Sequence, residues 1–195
     1  MDVVNWFFTF YMRCYIMEYI GCSPEEREEI LKKFVLFRNP NLPTVRETKD
    51  RVFAHYGHER FVKELFRPVV NEPGWIKPAF GTGFYASDVD SEYGWKQWVE
   101  DEQFHLDKYL SSFFLFKVKE DARIFHLRTL EDMCNAPQAP NPFGLKGHYL
   151  IDFEKLSQYY DAIDYYETSE LHYPLYGWDC DTLLVMNPDI IIPLE

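Results

Sequence analysis

The sequence predicts an α+β domain of short strands and helices, preceded by a separate N-terminal helical segment. Three observations carry that reading. The first forty or so residues read as helical, short strand and helix signals mix after them, and these lack the regular strand–helix alternation that builds a parallel sheet. The chain has 195 residues, enough for one domain with a proper core and an appendage.

The opening run, MDVVNWFFTFYMRCYIMEYIG, is apolar, but Asp2, Arg13 and Glu18 interrupt it and no basic residues precede it. It therefore fits neither a signal peptide nor a membrane span, and reads as a helix packed on the domain or on a second copy, giving a homodimer contact. Ser23, Pro24 and Glu26 then form a helix start, with Ser23 as cap, Pro24 at the first helical position and Glu26 closing a capping box. Ile30, Leu31, Phe34 and Val35 follow at helical spacing. The Pro/Asn stretch from Arg38 to Thr44 marks a boundary between an N-terminal segment, 1–43, and the main domain, 44–195.

Within the main domain, Arg51–Tyr56 and Gly83–Ser87 read as strands, and a helix is expected from Ser91 to about Phe104. Phe113–Lys119 and Ala122–Arg128 alternate in character and are separated by Glu120-Asp121, which predicts a hairpin. Cys134–Gly147 is a Pro/Gly loop, Asp152–Tyr160 a helix and Asp161–Glu167 a strand. One or two strands close the chain around the Asn187-Pro188 turn.

Composition excludes several functions. The net charge is −12, the wrong sign for a broad nucleic-acid surface. Cys14, Cys22, Cys134 and Cys180 form no CxxC pair and no Cys/His cluster, which argues against structural zinc and against a disulfide framework, and fits a reducing cytosol. DVDSEYG, from Asp88, superficially suggests a calcium loop, but Tyr93 stands where the loop needs Gly and Val99 where it needs a bidentate Glu. The histidines His58, His105, His126, His148 and His172 have no metal-ligand spacing.

Three segments combine unusual residues: FAHYGHERF with His55 and Gly57, GTGFYAS with its following SEYGWKQW, and GWDCDTLLVMNPDI with its acidic pair. In this order and at these separations they resemble the ADP-ribosyltransferase-like fold, in the His-Tyr-Glu branch shared by diphtheria toxin and the poly(ADP-ribose) polymerases. The likeness spans about residues 50–192 and implies a core of short, mostly antiparallel strands in two sheets with flanking helices. It implies that NAD is the substrate and that a mono-ADP-ribosyltransferase or NAD glycohydrolase activity cleaves its nicotinamide–ribose bond, with a protein side chain, a nucleic acid or water as acceptor. On that resemblance His55 would bond a ribose, the Gly57 backbone would clasp the carboxamide, and Gly83, Tyr85 and Ser87 would floor the nicotinamide pocket. Tyr85 would stack on one face of the ring and Tyr93 on the other. Asp181 would be the acid that meets the oxocarbenium-like charge.

The chain departs from the family pattern at two points. Tyr56 intervenes between His55 and Gly57, and Asp181 stands where the family has Glu, so it reaches ~1.5 Å less far. A register shifted by one residue would put Thr182 at the acid position and leave the acid absent, with Glu170 a nearby substitute. The alternative is thus a catalytically inactive protein of the same fold that binds a nucleotide or a protein partner. Other residues read more simply: Trp95 and Trp98 have the spacing of core packing, Asp179 that of a solvated strand end, and the glycines that of close backbone approach.

Overall fold

The computed structural model describes residues 47–102, 106–142, 150–168, 171, 172 and 174–194. The expected N-terminal helical segment and its dimer contact lie outside the described residues, as do His105, His148 and Glu170. Strand β1 is Phe53–Tyr56 and β2 is Phe84–Asp88. Helices α1 (Trp95–Glu102) and α2 (Asp107–Leu110) lead to β3, Phe113–Val118. Then come β4 (Ile124–Leu127), α3 (Leu130–Asn135), α4 (Phe153–Leu156) and β5 (Ala162–Tyr165). β6 is Thr182–Val185, and β7, Ile191–Pro193, follows a 3-10 turn at Pro188–Ile190. The domain is mixed α/β, with every strand short.

The strands form one hydrogen-bonded sheet in the order β4-β5-β6-β2-β1-β3-β7, rather than the two sheets expected. All adjacent pairs are antiparallel except β4 and β5. The sheet stays continuous because β2 pairs with β1 on one side and with β6 on the other.

The expected β3–β4 hairpin does not form. β3 lies between β1 and β7, while β4 runs parallel to β5 at the opposite edge. The cause lies just before β4. The Arg123 amide and guanidinium bond both carboxylate oxygens of Asp161 at 2.9–3.0 Å, which sets the start of β4 beside the start of β5. That contact holds the Asp161 carboxyl at about 2, the Arg123 hydrogen bond being the main cause.

Both faces of the sheet are covered, which is why β5 is buried at all four positions. One face carries Phe53, Phe114, Phe116, Val118, Leu183 and Val185. The other carries Leu127, Ile163, Tyr165 and Leu184, closed by Met133, Phe153, Leu156, Leu171, Leu175 and Trp178. Each fully buried side chain of this size contributes about 1.5–3 kcal/mol of transfer free energy. At one end of the sheet a buried ion cluster interrupts the apolar layer. Asp164, 1% exposed, accepts from Thr48 Oγ1 at 2.9 Å and from Arg128 Nη2 at 2.8 Å, and is paired with Arg51. Burial alone would raise the Asp164 pKa. The His126 hydrogen bond and the Arg51 and Arg128 charges outweigh that effect and hold it well below the usual carboxylate range.

Helix α1 begins at Trp95, four residues later than the sequence suggests. Ser91–Gly94 form a turn instead, because Ser87 Oγ accepts from the Trp95 amide at 2.8 Å and so fixes the helix start from the neighbouring strand. Trp95 and Trp98 pack on each other with centroids 4.9 Å apart, yet both are half-buried, and Val99 at 1% exposure makes the helix's buried contact. The tryptophan pair is therefore a partly exposed patch rather than the core stripe expected.

Candidate functional site

The three motif-bearing strands are neighbours. β6, β2 and β1 stand consecutively in the sheet, although β6 follows β2 by nearly a hundred residues of chain. The placement of side chains then follows from the two-residue period of strands and from the observed registers. Phe53 pairs with Asp88 and Ala54 with Ser87; Tyr85 pairs with Leu184 and Ala86 with Leu183. Phe53, His55, Phe84 and Ala86 accordingly share one face, and Ala54, Tyr56, Tyr85 and Ser87 the other.

His55 is thus on the opposite face from Tyr85. Its Nδ1 lies 2.7 Å from the Tyr85 carbonyl, so the imidazole bonds the backbone of β2 where the β1–β2 ladder has ended. Its ring packs edge-on to Phe84 at 5.0 Å and tilted to Phe114 at 5.2 Å, and stacks on His58 at 5.4 Å. Burial lowers its pKa, partly offset by the Tyr85 carbonyl bond, which favours a neutral imidazole. These partners are those of a packed histidine.

Tyr85 is 37% exposed and rests edge-on against Trp178 at 6.2 Å. Trp178 is itself 2% exposed and held by an Nε1 bond to the Ile76 carbonyl at 2.8 Å, with Phe153 and Tyr165 beside it. A rigid aromatic thus backs a phenol ring that is about one-third exposed, and burial of the rest raises its pKa. Trp178 has no signal of this role in sequence, since its partners Tyr85, Ile76 and Phe153 lie outside the GWDCD segment.

Asp181 is 8% exposed and lies just before β6. Oδ2 accepts from the Ser91 hydroxyl at 2.7 Å and Oδ1 from the Glu167 amide at 3.0 Å, while its own amide donates to the Tyr93 carbonyl. The carboxylate therefore ties the turn before α1 to the loop after β5. Asp179 does not share its surroundings and pairs instead with Lys77 at 3.2 Å. Thr182 pairs with Tyr165, two positions from Leu184, and so stands on the Tyr85 face, with its hydroxyl donating to the Cys180 carbonyl at 2.8 Å.

The remaining predicted residues divide. Ser87 is buried, donating to the Asp181 carbonyl and accepting from Trp95, so its hydroxyl is engaged in both senses. Tyr93 is half-buried in the turn, its amide on Ser91 Oγ at 3.2 Å. Gly83, at φ +61°, could carry a side chain only with strain and displacement of its neighbours: a Cβ would sit 2.8 Å from Val69 Cγ1 and 3.0 Å from both Leu184 Cδ1 and the Val185 carbonyl. Gly57, at φ +101°, has open space where a Cβ would be, and its amide donates to the Ser112 carbonyl.

On the Tyr85 face, a cleft of about 260 Å³ opens between α1 and the β1–β3 pair. Of the predicted site residues only Ser87 lines it; Ala54, Tyr56, Phe113, Leu115, Lys96 and Gln97 supply most of the rest. Among the described residues no group of three or more His, Cys, Asp or Glu side chains is arranged to hold a metal ion, and no helix is long and apolar enough to cross a membrane.

The imidazole, the phenol and the carboxylate therefore do not meet around one crevice. What the sheet does bring together is a backed, open tyrosine and a small neighbouring cleft on one face. Compared with known proteins, the chain matches no family model, no curated protein and no solved structure.

Proposed function

We propose that this chain is a nucleotide-binding protein on an ADP-ribosyltransferase-like core, with Tyr85 as a stacking platform for a planar base or nicotinamide ring, and that it does not cleave NAD. The observation that carries the reading is the carboxylate of Asp181, nearly buried and with both oxygens bonded inside the protein. An acid that serves glycosidic cleavage must face the developing positive charge of the ribose. This one is committed to Ser91 and Glu167. The side chain facing the same way as Tyr85 at the start of β6 is Thr182, which has no charge to offer.

Support for the binding half comes from the adjacency of the three motif strands and from the exposure of Tyr85 over Trp178. A ring held in place by a buried partner loses little entropy on stacking, which favours affinity. Neutral, enclosed His55 assists only by fixing the backbone under Tyr85.

Two assays test the proposal together. A thermal-shift titration with NAD, ADP-ribose and nicotinamide should show stabilisation, ~2.7 kcal/mol at a hundred times Kd, that Tyr85→Ala removes. Nicotinamide release from NAD should stay at the level of buffer. Silence with all three ligands would leave a protein partner as the occupant of this face, and release above buffer would restore the transferase or glycohydrolase reading.

A further inference from the structure

The end of β1 brings two imidazoles together. Tyr56 is the last strand residue, and Gly57 follows at φ +101°, its amide donating to the Ser112 carbonyl. That left-handed step, which a side chain would resist, turns the chain so that His58 meets His55. His55 Nε2 and His58 Nδ1 lie 3.2 Å apart.

The partners fix which nitrogen carries a proton. The Tyr85 carbonyl can only accept, so His55 Nδ1, 2.7 Å from it, holds the hydrogen. The neutral ring then turns the lone pair of Nε2 toward His58, whose Nδ1 donates to it. His55 is wedged between the Phe84 and Phe114 rings, at 5.0 and 5.2 Å, and cannot swing. His58 is exposed and can tilt.

An N–H bonded to a backbone carbonyl on the far side of the ring is the support that metal-binding histidines regularly have, because it sets the tautomer and aims the other nitrogen. The spacing fits the same use. With metal–nitrogen bonds of about 2.0–2.1 Å, nitrogens 3.2 Å apart subtend about 100–105° at a shared ion, close to the tetrahedral angle. His58 needs only to tilt its ring and carry its proton on Nε2 instead of Nδ1, so no proton is lost from the pair. Among the described residues no third His, Cys, Asp or Glu completes a cluster, so water fills the remaining positions and the affinity is modest. Two neutral nitrogens without a carboxylate are poor ligands for Mg²⁺ and Ca²⁺, which take oxygen, and good ones for Zn²⁺, Ni²⁺ and Cu²⁺. We propose that His55 and His58 form a two-histidine site for a divalent transition-metal ion, on the face of the sheet opposite the Tyr85 ring. The site is independent of the nucleotide reading and would stand if NAD bound nowhere.

The test is a titration of the full chain, first stripped with a chelator, with ZnCl₂ and NiCl₂ and with MgCl₂ for comparison. Zn²⁺ and Ni²⁺ should raise the unfolding midpoint saturably, and Mg²⁺ should not. His58→Gln should weaken the response at least about ten-fold, since losing a ligand costs no less than losing a ligand's outer support. The position is at the surface, so the variant should fold, which matched midpoints in chelator would verify. Other histidines and the cysteines also take these ions, so the deciding readout is ¹⁵N NMR of the imidazoles, with His58 assigned from the variant. On adding Zn²⁺, His55 Nε2 and His58 Nδ1 should shift together while His55 Nδ1 keeps its proton. Shifts confined to other histidines, an unchanged titration in His58→Gln, an equal response to Mg²⁺, or no response to any ion would overturn the proposal.

Discussion

Replacing Asp181 by Ala should unfold the protein more readily rather than disable a reaction. The side chain is 8% exposed and accepts two hydrogen bonds, from the Ser91 hydroxyl at 2.7 Å and the Glu167 amide at 3.0 Å. Removing the acceptor leaves a part-buried amide and a hydroxyl unpaired, and each stranded donor costs about 1–3 kcal/mol. The amide cannot turn away, since it belongs to the chain leaving β5, whereas the Ser91 hydroxyl can rotate toward water. The expected loss is therefore about 2–4 kcal/mol, weighted toward the amide. Asp181→Asn keeps one carbonyl oxygen as acceptor and should cost about half as much. Urea unfolding read by tryptophan fluorescence gives both numbers, and an unchanged m-value would show that the denatured state is not the source. A loss below about 0.5 kcal/mol for the Ala variant, the range of an ordinary surface substitution, would refute the reasoning and free the carboxylate for another role.

Other outcomes follow from the same geometry. Gly83→Ala should cost about 2–5 kcal/mol, combining left-handed strain with overpacking against Val69 and the Val185 carbonyl. Gly57→Ala, with the same strain and open space, should cost only about 1–3 kcal/mol, so urea midpoints that fail to rank the two would contradict the packing account. Arg51→Met should destabilise by about 3–5 kcal/mol, because it leaves Asp164 buried with less compensating charge. In acid, Asp161 has a folded-state pKa of about 2, below its unfolded value. Its contribution is thus complete above the unfolded value of about 4 and lost as pH falls toward 2. Since Arg123 is largely exposed, solvent screening keeps that contribution small. Thermal midpoints taken from pH 5 to 2 should fall more for wild type than for Arg123→Gln.

Much of the main domain could be read from sequence because local pattern and tertiary demand agree there. The β1, β2, β3 and β5 segments are apolar or alternating runs of strand length, and each lies where such runs predict. Pairing was not legible in the same way. The turn at Glu120-Asp121 permits a hairpin, but the Arg123–Asp161 clamp, made by residues 38 apart, sends β4 to the other edge. The candidate site shows the same limit. The three motif segments form neighbouring strands, yet which face His55 and Tyr85 present depends on where the β1–β2 ladder stops, and no local signal states that. The Asp181 carboxylate likewise looks available in sequence, because its partners Ser91 and Glu167 lie far away along the chain.

The most direct measurement is to incubate the protein with NAD and separate the products by chromatography, quantifying free nicotinamide. The account predicts that NAD is recovered intact, with nicotinamide no higher than in buffer. Nicotinamide that accumulates with wild-type protein, and fails to do so with a folded Asp181→Asn variant, would contradict it.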